Sequence, residues 1–104
     1  MSTTKEFSLS LLKNIATDFM TVRATNGDAD SYTQNGIYSN EGSMTGLPKG
    51  AAAYGILEVV GGWYYKEQHY YPLSPIAGIG LYRRMWSRNA GWKPWLGVAC
   101  TEIK

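Results

Sequence analysis

The chain has 104 residues, a formal net charge of +2, 13% aromatic residues and only 17% charged ones. That length is one domain whose core has a thin margin, and so small a net charge excludes a global basic field recruiting nucleic acid. Twelve glycines, and few Leu, Glu or Lys after residue 25, favour short strands and tight turns over a helix bundle. Charge is uneven: residues 1–60 hold four Lys/Arg and six Asp/Glu, residues 61–104 six and two. Arg83, Arg84, Arg88 and Lys93 cluster in that mildly basic half, where basic turns and solvated strand faces are the ordinary reading. Cys100 is the only cysteine, so no intrachain disulfide or Cys/His zinc set exists, and after Val98-Ala99 it reads as a small core residue. No apolar run approaches the ~20 residues of a membrane span. The N-terminus lacks a secretory pattern.

Residues 6–20 carry Phe7, Leu11, Leu12, Ile15 and Phe19 at helical spacing, which predicts one amphipathic helix capped by Ser2, Thr3 or Thr4. The competing reading is a strand over residues 19–25. Residues 25–31 are a polar connector with an Asn-Gly turn. Asp28 and Asp30 there lack the central Gly and terminal Glu of a calcium loop, so no metal is expected. Asn35-Gly36 turns into a short strand at Ile37-Tyr38, and residues 39–50 read as an irregular Gly/Pro loop. Residues 54–60 alternate as a strand, with Ile56, Glu58 and Val60 on one face and Leu57 and Val59 on the other. Gly61-Gly62 predicts a two-residue hairpin turn. The partner strand over residues 63–71 places Trp63, Tyr65, Glu67, His69 and Tyr71 on one face and Tyr64, Lys66, Gln68 and Tyr70 on the other. Pro72 and Pro75 end it. A third strand covers residues 79–86. Residues 87–91 turn, and residues 92–100 return with Pro94 forcing an edge or a bulge. The fold expected is mainly β, a small antiparallel meander with one N-terminal helix.

No enzyme constellation emerges. His69 is the only histidine and no nucleophile elbow or phosphate loop accompanies it. Glu58 and Glu67 fall on neighbouring strands and can face each other as paired carboxylates do, though both also read as ordinary exposed strand positions. Aromatic density is the better signal. Trp63, Tyr64, Tyr65, Tyr70 and Tyr71 occupy both faces of one strand. One face must be core; the other is a partner surface, a sugar platform, or simply bulky packing in a small domain. Trp92 and Trp95, three apart and following Tyr82-Arg83-Arg84, form either a binding face or an architectural closure. Tyr82 and Arg84 share a face.

The order Gly36-Ile37-Tyr38, Gly55-Ile56-Leu57-Glu58-Val59, the Gln68 strand, Tyr82-Arg83-Arg84 and Trp92-Lys93-Pro94-Trp95 resembles the pyocin knob domain family over about residues 28–100. This module occurs in phage tail fibres and in the fibres of phage-tail-like bacteriocins. The resemblance implies a knob-like β domain at residues 28–104, preceded by a helix and connector (residues 1–27) to a fibre shaft or neighbouring subunit. It implies a homotrimeric fibre, a virion protein made in the bacterial host cytoplasm and working with other tail or baseplate proteins. Attachment to a bacterial surface glycan or protein receptor follows, with no catalysis, cofactor, nucleic acid or membrane insertion. Trp63, Tyr65, Tyr71, Arg84 and Arg88 are the expected ligand contacts, as exposed aromatics and arginines. The alternatives are a polysaccharide depolymerase domain of a tail spike and a small bacterial protein-interaction module. Trp92 and Trp95 then read as closure of the final strand.

Overall fold

The computed structural model describes residues 22–25, 27–101 and 103. The predicted helix over residues 6–20 lies outside them. The described chain is mainly β. Its strands are β1 (Val22–Thr25), β2 (Gly36–Glu41), β3 (Tyr54–Gly61), β4 (Tyr65–Pro72), β5 (Ile79–Ser87), β6 (Gly91–Trp92) and β7 (Leu96–Ala99). They form one sheet in the order β1-β2-β3-β4-β5-β6, with β7 also on β5. Pairing from β2 onward is antiparallel, as in the expected meander, but β1 joins β2 in parallel. The boundary expected at residue 28 therefore falls within the sheet, because Val22 already pairs with Ile37.

Alternation decides which side is core. Tyr38, Leu57, Val59, Gln68, Tyr70, Tyr82 and Arg84 are buried on the inner face. Two connections fold over that face. The first contains a short 3-10 turn, Ala29–Ser31, whose Asp28 caps it by accepting from the Asp30 N–H at 3.0 Å. The second follows β2 and contributes Met44 to the core, with Leu47 and Ala51 packed against it. Backbone bonds from Ala29 N to Thr45 O (2.8 Å) and from Thr45 N to Gly27 O (3.0 Å) tie the two together. Buried Asn40 braces the second connection by accepting from Gly42 N at 2.9 Å and Met44 N at 3.1 Å.

Three local expectations are corrected. The β3–β4 turn is not Gly61-Gly62. Gly61 still pairs with Lys66 and the Gly62 N–H donates to the Tyr65 carbonyl at 2.9 Å, so Trp63 and Tyr64 form the loop. Glycine is needed at 61 because a Cβ there would meet Lys66 Cα at 2.6 Å. Residues 39–41 continue β2 rather than starting a loop, since they pair with residues 54–56. Cys100 is exposed, not core, because β7 is an outer strand whose four residues are all exposed. Pro94 does interrupt the return, separating β6 from β7.

Candidate functional site

The five expected contact residues fall in three places. Arg84 is buried, at 6% exposure, and so is not the exposed contact anticipated. The reason lies in β5, where even-numbered residues face the core: Tyr82, Arg84 and Trp86 follow one another on that face. Arg84 Nε donates to Gln68 Oε1 at 2.9 Å and Nη1 pairs with Asp30 Oδ1 at 2.8 Å. Its guanidinium carbon lies 4.3 Å from the ring centre of Trp92 and 4.3 Å from that of Trp95. Burial pulls this guanidinium below its ordinary value, and Asp30 opposes the shift by hydrogen bond and charge. Nη2 has no hydrogen-bond partner among the described residues, so the two indole faces are what this cation receives in place of water.

The Trp-x-x-Trp spacing has a geometric reason here. Trp92 pairs with Trp86 in β6, Pro94 breaks the ladder, and the chain passes Arg84 again at Trp95. Each indole is then anchored to a covering connection. Trp92 Nε1 donates to the Asp30 carbonyl at 2.9 Å and Trp95 Nε1 to the Gly46 carbonyl at 3.0 Å. Gly46 sits at φ +74, where a side chain is strained. Fully buried Gln68 completes the unit, donating from Nε2 to the carbonyls of Ala29 (2.7 Å) and Tyr32 (3.0 Å). Sequence reasoning missed this role for Gln68; an amide on the face shared with Tyr70 was the available signal.

Trp63 and Arg88 are at the end of the sheet. The Arg88 guanidinium carbon lies 3.6 Å from the Trp63 ring centre and 5.9 Å from that of Trp86. Trp86 and Trp92 are 6.3 Å apart and tilted by 54°. All four tryptophans of the chain thus join two arginines in one ladder: Trp95, Arg84, Trp92, Trp86, Arg88, Trp63. It runs from the core to an indole that is 70% exposed.

Tyr65 and Tyr71 point from the opposite, outer face of the sheet, and both are exposed. Between them His69 joins the two carboxylates that the sequence placed on adjacent strands. Its Nδ1 is 2.9 Å from Glu58 and its Nε2 3.3 Å from Glu67. Both ring nitrogens donate only in the imidazolium form. Arg83 donates to Glu67 at 2.6 Å and the Tyr71 hydroxyl to Glu58 at 3.1 Å. The Arg83 hydrogen bond holds the Glu67 carboxyl below its ordinary value; burial opposes it, and a hydrogen bond from His69 adds a weaker lowering effect. A general acid needs the reverse shift. Burial, aided by Glu58, pushes the Tyr71 phenol up. Ile56, Met85, Leu96 and Val98 flank this row and are exposed. Tyr65 and Met85, with Ser87 and Lys93, line a cleft of about 220 Å³. Among the described residues no three His, Cys, Asp or Glu are arranged to hold a metal ion.

No family model, curated protein or solved structure matches the chain.

Proposed function

We propose that this chain is a host-recognition module of a phage tail fibre, a pyocin-knob-like β domain of a homotrimeric fibre that attaches the virion to bacterial surface polysaccharide. The observation that carries the reading is the Arg84 unit. Three spaced elements of the resemblance (the Gln68 strand, Tyr-Arg-Arg and Trp-x-x-Trp) meet in one packed assembly, with Gln68 and both indoles around one guanidinium. An ordered motif series that converges in this way has a structural reason for its order and spacing.

In this reading the ladder's buried part is scaffold and its exposed end, with the loops beside it, meets the receptor. The outer face supports a role for further copies. Antiparallel sheets that face water carry mostly polar side chains on that side, whereas Ile56, Tyr65, Tyr71, Met85, Leu96 and Val98 are exposed here. Light scattering on the purified chain tests self-association, and trimer mass is expected. Binding to cells that the parent phage adsorbs to, and to their extracted polysaccharide, tests recognition. Absence of both kinds of binding removes the receptor role. Release of reducing ends from that polysaccharide would instead point to a depolymerase.

A further inference from the structure

We propose that copies of this chain meet through the outer face of the sheet, and that each copy takes up a proton at His69 when they do. This rests on the homotrimer reading above and assigns it a surface and a control.

Among the described residues, the two connections already cover the inner face, so the outer face is the one left open. The register lays that face out in rows. Ile56 pairs with Tyr71 and Leu81 with Val98, which makes one row apolar across four strands. The next row is Glu58, His69, Arg83 and Leu96, each paired with the one before it. Beyond it Glu67 pairs with Met85. The charged groups therefore sit in the middle of the face with apolar side chains around them, and a flat partner that covers the face buries them. Strands spaced by ~4.8 Å from β2 to β5 and β7, with ~3.3 Å per residue along the eight residues of β3 and β4, give roughly 600 Å² on each copy. Two such faces together pass the ~1,000 Å² that a specific interface needs.

Charge selects the occupant. Identical faces repel each other when each carries a net charge, and removing an unbalanced charge from water is costly besides. Glu58 and Glu67 against Arg83 leave one negative charge when the imidazole is neutral and none when it is protonated. His69 is placed to hold that proton. Its Nδ1 is 2.9 Å from Glu58 and its Nε2 3.3 Å from Glu67, and both bonds need an N–H. The Tyr71 hydroxyl donates to the same Glu58 oxygen at 3.1 Å and Arg83 to the same Glu67 oxygen at 2.6 Å. Glu41 and Lys93 lie at the margins of this face and are exposed, where water remains. The protonated face is thus neutral and paired within itself. It asks for no opposite charge from a foreign surface, and it can be turned toward its own copies without repulsion.

Sedimentation equilibrium of the full chain at about pH 5.5 and about pH 8.0 is the test, because histidine is the side chain that changes charge in that range and this chain has one. The wild-type midpoint concentration for assembly is expected to rise about tenfold or more from the lower to the higher pH, the effect of one unbalanced charge on each copy. His69→Gln fixes the surplus negative charge and should assemble weakly at both. Glu58→Gln removes one carboxylate and should invert the dependence, with tighter assembly at the higher pH. Ile56→Thr combined with Leu96→Gln, both at exposed positions, should weaken assembly at both pH values with the circular dichroism spectrum unchanged. Tight assembly indifferent to that double substitution overturns this interface while the homotrimer stands. Assembly that the double substitution breaks but that does not respond to pH, or a Glu58→Gln variant that keeps the wild-type dependence, overturns the proton uptake. A wild-type chain that is monomeric at both pH values overturns the homotrimer reading as well, and leaves the face to a different protein or to the chain's own N-terminal segment.

Discussion

Replacing Arg84 by Ala probes the centre of the molecule. The substitution leaves Gln68 Oε1 buried without its donor, a loss of about 1–3 kcal/mol. It removes a desolvated cation from two indole faces, roughly 1 kcal/mol each. The Asp30 pair adds little, about 1 kcal/mol or less, because Asp30 is 55% exposed and water takes over its carboxylate. These contacts share one network and do not add independently, so the expected loss is about 4 kcal/mol. A domain of this size holds only about 5–10 kcal/mol in total, and the variant should sit near its unfolding midpoint at modest denaturant. Urea unfolding followed by far-ultraviolet circular dichroism measures the change as a fall in midpoint with unchanged slope. Arg84→Lys keeps the charge but not the planar fork and should lose about half as much. Asp30→Asn should lose under about 1 kcal/mol. A loss below about 1 kcal/mol for Arg84→Ala, or a larger loss for Asp30→Asn than for Arg84→Ala, would refute the view that the sandwich and the Gln68 bond carry this unit.

Other outcomes follow from the same contacts. Trp95→Ala removes one indole face and the bond to the Gly46 carbonyl and should lower stability by about 3 kcal/mol before it affects binding; a well-folded variant that had lost only receptor affinity overturns the architectural role. Tyr70→Phe strips the partner from the Ala52 carbonyl (2.7 Å) and from Asn40 Nδ2 (3.1 Å), and its melting curve should show a loss of about 1–2 kcal/mol. Glu67 sets an acid limb: its folded carboxyl is held below 4.5 by Arg83 and His69, so the folded state binds fewer protons than the unfolded chain. That stability is present above 4.5 and is lost as the pH falls through the lower folded value. Glu67→Gln should flatten this limb by no more than about 1 kcal/mol, since the group is partly exposed. An unchanged limb in acid titrations of stability would show that Arg83 and His69 do not hold it.

The faces of the strands were legible because alternation has a period of two whichever elements surround it. Leu57, Val59, Gln68 and Tyr70 are buried and Ile56, Glu58, His69 and Tyr71 are not, as the pattern implied. The pairing of Glu58 with the Glu67 strand was equally readable from a hairpin of known neighbours, although their meeting on His69 required the register. The turn was misplaced because glycine signals backbone freedom without saying what uses it. At Gly61 the freedom admits Lys66 in the partner strand, and the reversal comes at Trp63-Tyr64.

The mainly β class, the strand faces, the break at Pro94 and the lack of any intrachain disulfide were all readable from the residues alone. Each depends on local alternation, ring constraint or a single residue count. The roles of the arginines and tryptophans depend instead on how the folded chain brings distant segments together. Arg84 and Arg88 are four residues apart on similar ground, yet one is buried and paired with Asp30 and the other is exposed beside Trp63. That difference depends on where the connections after β1 and β2 cross the sheet. Asp30 and Gly46 come from those connections, far from Arg84 in sequence and in contact with its unit only once the chain has folded over the inner face.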